Sequence, residues 1–218
     1  MKITKIGHSC LLVEEGNAKI LIDPGTFAFI EGKTKPEDFK DISVVLVTHA
    51  HADHVDITAL KTILKNNDAA VISNQGVQEF LKAGEIPVKI LEEGALDVEG
   101  FHIEALSVAH EKVLGPLPEN TAYIINKKLL HPGDSLNSGL FKFKGTPVLA
   151  LPTIAPWNKR FEVAEFAEEM KPQIIIPIHD GFVKDFFLKG QDEIYGKYFE
   201  ERGMSFNPLN GNREFVEI

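Results

Sequence analysis

Two short segments of the chain are apolar on both of their alternating faces, and they restrict the fold more than any other feature. Ile42–Val47 reads ISVVLV, and Gln173–Ile178 reads QIIIPI. Successive side chains of a strand point to opposite faces, so a strand that is apolar on both must be covered on both sides. The two segments therefore predict buried strands inside a layered structure and not edge hairpins.

Further strands and helices are predicted around these two segments. The strands come in two groups, each followed by helices, which indicates an α/β (α+β) fold with two mixed sheets packed face to face and helices outside, a four-layer αββα sandwich. No repeat, low-complexity stretch or linker divides the chain, so a single domain over residues 1–218 is predicted. The other predicted strands are Ile3–Ile6, Cys10–Val13, Ala18–Ile22, Ala69–Ser73, Val88–Leu91, Phe101–Val108, Thr121–Ile125, Leu129–His131, Pro147–Leu151 and Glu214–Ile218. One helix is predicted to begin after Asp56 as its N-cap, and three more are predicted over Val77–Ala83, Phe161–Met170 and Asp192–Arg202.

Composition limits the partners that the chain is expected to have. The formal net charge of −9 disfavours nucleic acid, because affinity for a phosphate backbone depends on Lys and Arg. No apolar run approaches the roughly 18 residues that span a bilayer, and no export signal is apparent. The single cysteine, Cys10, cannot form an intrachain disulfide and is expected to be a small buried thiol. We expect a cytoplasmic protein that acts on a small molecule, with no membrane or nucleic-acid partner.

Four side chains that commonly bind metals directly follow the first buried strand. They are His49, His51, Asp53 and His54. In an extended segment residues i and i+2 point to the same side, so His49 and His51 can reach one metal ion together. The other two lie where the chain turns into the helix after Asp56. Four ligands at this spacing suit two adjacent ions better than one, and a solvated polar turn seldom contains such a run.

Three further candidate ligands follow other predicted strands. His110 comes after Phe101–Val108, Asp134 lies in the turn after Leu129–His131, and His179 ends the second buried strand. Open α/β sheets gather their sites at such strand ends. Each residue alone would more often be an ordinary turn residue, but together with the first cluster they predict one shared metal site.

These residues carry a resemblance to a known family. The segment Thr48–His54 matches the HxHxDH motif of the metallo-β-lactamase superfamily, and the later histidine, Gly-Asp pair and histidine follow in that superfamily's order. Within the superfamily, the chain resembles the L-ascorbate-6-phosphate lactonase-like metal-dependent hydrolases. The segments that carry this second resemblance are Gly7-His8, Ile22-Asp23-Pro24, His131–Ser135, Leu151-Pro152 and Ile176–His179.

The resemblance implies a ligand set and a reaction. His49, His51 and His110 would hold one metal ion, Asp53, His54 and His179 would hold the other, and Asp134 would bridge them. Imidazoles and carboxylates suit Zn²⁺ best, with Mn²⁺ or Fe²⁺ as alternatives. The two ions would make a hydroxide available at neutral pH to attack a small ester, lactone or phosphoester. Asp53 would be the catalytic carboxylate that orients this nucleophile or shuttles its proton.

Two residues outside this set are candidates for the surroundings of the site. Asp23 ends a strand before a Pro-Gly turn, where it would accept a hydrogen bond from a ligand imidazole or serve only as a turn residue. His8 would line the pocket or have a structural role. Among the remaining polar residues, His102 is expected on a solvated face and His131 near the site without binding metal.

Other functions remain open at this stage. A phosphodiesterase or nuclease would use the same ligands but needs a basic approach surface, which the net charge disfavours. A redox function is a second alternative. It is disfavoured because redox members of the superfamily resemble proteins that carry Glu at the position where this chain has His51. A non-catalytic metal-binding module is the third alternative, although every expected ligand position is filled. The sequence does not decide whether the chain forms a homo-oligomer, and the aromatic segment Phe182–Phe187 suits a subunit contact as well as a pocket wall or a core.

Overall fold

Two seven-stranded sheets form the centre of the molecule. The computed structural model describes residues 1–210 and 214–218. In this part of the chain the strands are β1 Lys2–Gly7, β2 Cys10–Glu15, β3 Ala18–Ile22, β4 Val44–Leu46, β5 Ala70–Ser73, β6 Lys89–Ile90, β7 Gly94–Val98, β8 Phe101–Ala109, β9 Glu119–Ile125, β10 Leu129–His131, β11 Val148–Pro152, β12 Ile174–Ile178, β13 Ser205–Phe206 and β14 Phe215–Glu217.

The two sheets share one plan. The first has the order β14-β1-β2-β3-β4-β5-β6 and the second the order β13-β12-β11-β10-β9-β8-β7. One half of each sheet is antiparallel, from β14 to β3 in the first sheet and from β7 to β10 in the second. Each continues as parallel strands, β3 to β6 and β10 to β13. The parallel half of each sheet is the part that helices must cover.

The described part of the chain has four helices outside the sheets, and short 3-10 turns connect several elements. The helices are α1 Ile57–Asn66, α2 Gln75–Leu81, α3 Arg160–Met170 and α4 Asp185–Glu200. Helix α1 begins as predicted, because the Asp56 carboxylate accepts hydrogen bonds from the backbone amides of Thr58 and Ala59 at 2.8 and 2.9 Å. None of the helices in the described residues has the length and apolar character needed to cross a bilayer.

Three apolar layers confirm the predicted αββα sandwich. In β4, Val44 and Leu46 enter the core between the sheets, where Ile103 of β8 and Ile176 of β12 also lie. Val45 points the other way, into the layer under α1 and α2. A third layer joins the outer face of the second sheet to α3 and α4. The strand that the sequence marks as apolar on both faces is therefore covered on both faces.

The structure differs from the predicted elements at three places. Helix α4 begins at Asp185, seven residues before the predicted start. The prediction missed its first turns because they bury no apolar side chain, and the buried residues of the helix begin at Tyr195. Strand β7 was not predicted, since it lies at a sheet edge and is largely exposed. Strand β13 has only two residues, too few to leave an alternation in the sequence.

Candidate metal centre

The ends of strands from both sheets bring the seven predicted ligands together. They form two groups, and within each group the candidate ligand atoms all lie within 4.8 Å of one another. One group contains His49, His51, His110 and Asp134, and the other contains Asp53, His54 and His179 together with His8. The sequence suggested that His8 lines the pocket or has a structural role, and the structure places it inside the second group.

Asp134 lies between the two groups. Its Oδ1 is 3.2 Å from Nε2 of His54, and its Oδ2 is 3.0 Å from Nε2 of His179. The same Oδ2 is 3.5 Å from Nε2 of His110, which belongs to the other group. The carboxylate thus faces both groups, which is the position that the family resemblance implies for a bridge.

Several ligand atoms have no hydrogen-bond partner although they are buried. Among the described residues they are Nε2 of His49, His54 and His110 and Oδ1 of Asp134. Nε2 of His54 and Oδ1 of Asp134 lie 3.2 Å apart, but neither atom has a hydrogen-bond partner. Buried polar atoms are almost always paired, so four unpaired atoms in one cluster need a missing partner. Cations held in the two groups would satisfy all four, and the residues therefore fit metal binding.

Two of the candidate ligand histidines have an outward nitrogen that donates to a backbone carbonyl. Nδ1 of His110 donates to the carbonyl of Glu111 at 2.6 Å, and Nδ1 of His179 donates to the carbonyl of Ile154 at 2.8 Å. A carbonyl only accepts, so the proton is on Nδ1 and the Nε2 lone pair faces the cluster. Metal-binding histidines are characteristically oriented in this way.

Asp23 accepts the hydrogen bond that orients the ring of His54. Its Oδ2 is 2.7 Å from Nδ1 of His54, and both side chains are fully buried. The backbone amide and hydroxyl of Thr48 also donate to Asp23, each at 2.7 Å. The carboxylate is thereby fixed by three donors, and it lies where the sequence suggested an acceptor for a ligand imidazole.

The carboxylates and imidazoles of the cluster shift one another's pKa. Burial disfavours the imidazolium of His54, but the carboxylates of Asp134 and Asp23 outweigh it and raise the pKa of His54 well above its ordinary value. Burial alone would raise the pKa of Asp134, yet His54 and His179 hold it well below. For His49, burial and the neighbouring His54 lower the pKa. The carboxylates of Asp134 and Asp23 therefore stabilise positive charge next to them, whereas burial disfavours it on the ring of His49.

The remaining histidines lie outside the ligand groups, as the sequence suggested. His131 is buried, with Nε2 3.0 Å from the carbonyl of Ser9. His102 lies partly exposed and contacts Asp97 at 2.6 Å. Cys10 is buried, and burial raises the pKa of its thiol well above the ordinary value, which fits an inert side chain.

Sequence reasoning missed Asn120, which shapes the turn that carries Asp134. Its side-chain amide donates to the carbonyl of Pro132 at 3.0 Å, and its Oδ1 accepts from the backbone amide of Asp134 at 3.2 Å. Gly133 has φ +62°, and a Cβ there would lie 2.1 Å from Oδ1 of Asn120. Nothing in the sequence distinguishes Asn120 from an ordinary polar residue at the start of a strand.

Replacing Asp23 with asparagine tests its contact with His54. The amide could still accept from Thr48, but it lacks the charge that holds the Nδ1 proton of His54. We expect the affinity for metal to fall about 10–100-fold, the usual effect of losing such a partner. A chelator-competition titration measures this, with Asp97→Asn, which changes a surface carboxylate beside His102, as the matched control. Equal affinities in the two variants would contradict the assigned role.

Comparison with known proteins now gives the family. The model of the beta-lactamase superfamily domain matches residues 2–179. This chain belongs to that superfamily, as the motif Thr48–His54 predicted.

Similar proteins extend over most of the chain. Protein Rv0786c of Mycobacterium tuberculosis is 34% identical over 192 residues, which cover 84% of this chain and 85% of that protein. A Nanoarchaeum equitans protein named UPF0173 metal-dependent hydrolase NEQ378 is 31% identical and covers 98% of this chain and 99% of its own length. Among solved structures, Igni18, a metallo hydrolase from Ignicoccus hospitalis, has a TM-score of 0.74 at 20% identity and covers 100% of this chain and 98% of its own.

Proposed function

We propose that this chain is a hydrolase that holds two divalent metal ions between the strand ends and cleaves a small ester, lactone or phosphoester. The observation that carries the proposal is the set of four buried, unpaired ligand atoms on His49, His54, His110 and Asp134. Three more side chains with ligand atoms, those of His51, Asp53 and His179, complete the two groups around them. The names of similar proteins as metal-dependent hydrolases support the same conclusion.

The ligands divide between two ions. We assign the first ion to His49, His51 and His110 and the second to Asp53, His54 and His179, with Asp134 shared between them. The donor set of imidazole nitrogens and carboxylate oxygens favours Zn²⁺ and also accepts Mn²⁺ or Fe²⁺. When bound, the ions would supply positive charge that polarises the scissile group and acidifies a water molecule.

Side chains of the chain itself provide orientation and access. His51 and Asp53 are only partly buried, whereas the other residues of the two groups are buried. The site therefore opens on the side of these two residues. Burial alone would raise the pKa of Asp53, but the hydrogen bond from His8 and the nearby imidazoles of His54 and His179 lower it, so the group is a carboxylate at neutral pH. An ionised Asp53 at the opening accepts hydrogen bonds, which suits it to orient a water molecule or a substrate hydroxyl.

Three aromatic rings close to the second group support a small organic substrate. The ring of Phe27 is 5.1 Å from that of His8, and the rings of Trp157 and Phe182 are 5.8 and 5.6 Å from that of His179. The net charge of −9 further disfavours a polyanion. Within the superfamily, the resemblance to the L-ascorbate-6-phosphate lactonase-like branch suggests that a lactone should be tried first. A cytoplasmic location remains part of the proposal.

Metal analysis tests the proposal before any substrate is known. Protein stripped with a chelator and then supplied with Zn²⁺ or Mn²⁺ is expected to bind two equivalents. His102→Ala, which removes a histidine outside both groups, is the matched control and is expected to bind two as well. The metal that binds is then used in a screen of lactones, esters and phosphodiesters. Binding of fewer than two equivalents with both metals would overturn the proposal.

A further inference from the structure

His8 lies among the candidate ligands, but its hydrogen bonds differ from theirs. We infer that His8 is a positioning residue, which donates a hydrogen bond from Nε2 to Asp53 and does not itself bind the second ion. The inference rests on the proposed metal centre and adds to it a residue whose task is to hold a ligand in place.

The direction of each hydrogen bond fixes the tautomer of His8. The backbone amide of Gly181 points at Nδ1 of His8 over 3.0 Å, and an amide N–H can only donate. Nδ1 therefore presents a lone pair, which excludes a proton at that atom. The single ring proton is on Nε2, which lies 3.2 Å from Oδ2 of Asp53. His110 and His179 show the reverse arrangement, with the proton on Nδ1 and the lone pair of Nε2 towards the centre.

The backbone around His8 holds the ring in this orientation. His8 lies in the turn between β1 and β2 with φ +53°, a left-handed conformation that a residue other than glycine adopts only when its surroundings impose it. Its carbonyl accepts from the backbone amide of His179 at 3.3 Å. A Cβ on Gly181 would approach Cβ of His8 to 2.9 Å, so this close contact requires glycine.

The neighbouring side chains leave the ring little freedom. Phe27 and Phe182 pack against it with ring centroids 5.1 and 5.7 Å away, and the side chain of His8 is fully buried. The ring has one polar group in front of Nδ1 and one in front of Nε2. It can therefore orient Asp53, but it cannot offer Nε2 to a cation without losing the proton that Asp53 accepts.

Three variants of His8 separate the two hydrogen bonds. An asparagine reaches about as far as Nδ1 and keeps the acceptor for Gly181, while a glutamine amide reaches about as far as Nε2 and keeps the donor for Asp53. We expect His8→Asn and His8→Ala to bind two equivalents of Zn²⁺, with the second bound about 10–100-fold more weakly than in the unchanged protein. His8→Gln is expected to restore most of that affinity. If His8→Ala does not fold, the comparison of asparagine with glutamine decides alone.

His179→Ala provides the reference for the loss of a ligand, and it is expected to lose the second equivalent altogether. His8→Asn that loses this equivalent just as completely would identify His8 as a ligand and overturn the inference. Second-ion affinity in His8→Asn equal to that of the unchanged protein, or His8→Gln as weak as His8→Asn, would also overturn it. Fewer than two equivalents in the unchanged protein would instead refute the proposed metal centre itself.

Nuclear magnetic resonance gives a second readout that does not depend on affinity. In long-range proton–nitrogen spectra, His8 is expected to carry its proton on Nε2 both with and without Zn²⁺, whereas His110 and His179 carry theirs on Nδ1. The His8 signals are assigned by their disappearance in His8→Asn. A shift of the His8 proton to Nδ1 when Zn²⁺ is added would show ligation through Nε2 and contradict the inference.

Discussion

Replacing Asp134 with asparagine is expected to remove one of the two metal equivalents of the proposed centre and to lower turnover about 10²–10³-fold or more. The carboxylate lies within 3.5 Å of Nε2 of three histidines from both groups. Asparagine has nearly the same shape, but it replaces one oxygen by an NH₂ group that cannot bind a cation and it removes the negative charge. Metal stoichiometry measured after chelator stripping and reloading checks the first effect, and hydrolysis of the substrate class found in the screen checks the second.

The design of this experiment separates loss of the bridge from loss of the fold. The backbone amide of Asp134 donates to Asn120, and this contact does not involve the altered side chain. Asp97→Asn is the matched control, because it makes the same chemical change at an exposed carboxylate beside a histidine that is not a candidate ligand. An Asp134→Asn protein that hydrolyses substrate at the unchanged rate would show that Asp134 is not the bridge.

The sequence predicted that the candidate ligands lie close together, because each of them ends or follows an apolar strand. His110 follows β8, Asp134 follows β10 and His179 follows β12, and parallel or adjacent strands deliver such residues to a common place. The doubly apolar pattern of Ile42–Val47 likewise predicted a strand covered by layers on both sides. These features are local in sequence and are therefore readable without coordinates.

Contacts between distant segments were not predictable in the same way. The role of His8 depends on the amide of Gly181, 173 residues further along the chain. The contact of Asn120 with the turn of Asp134 depends on the exact path of that turn. The aromatic surroundings of the second group were unpredictable for a related reason, because Phe27 lies in a short 3-10 turn and Trp157 and Phe182 lie in two loops distant from it in sequence.

A buried ion pair next to the candidate metal centre is expected to be costly to disrupt. Lys5 of β1 contacts the carboxylate of Asp180, which follows His179, and the two residues are 175 positions apart. Lys5 lies on the same face of its strand as the fully buried Ile3, so its ammonium group enters the interior. The pair thus joins the first sheet to the end of β12 in the second, beside the contact between His8 and Gly181.

Removing one member of this pair should lower the free energy of unfolding by far more than the intact pair contributes to it. Lys5→Met keeps most of the side-chain length but leaves the carboxylate of Asp180 buried without a counter-charge, and such a loss typically costs about 3–5 kcal/mol. The free energy of unfolding, measured by urea denaturation with the same metal bound throughout, is expected to fall by that amount. Lys2→Met is the matched control on the same strand. Lys2 pairs with Glu14 at 3.1 Å near the surface, and exposed pairs contribute about 0–1 kcal/mol.

The double variant Lys5→Met, Asp180→Leu distinguishes a desolvation effect from a loss of packing. Both charges are then absent, and apolar replacements of buried ion pairs are often neutral or even stabilising. Most of the stability lost in Lys5→Met should therefore return in the double variant. If the double variant were less stable than Lys5→Met by the full cost of a second independent substitution, the two residues would not be coupled. The contact between the two sheets at this place would then be stabilised by packing alone.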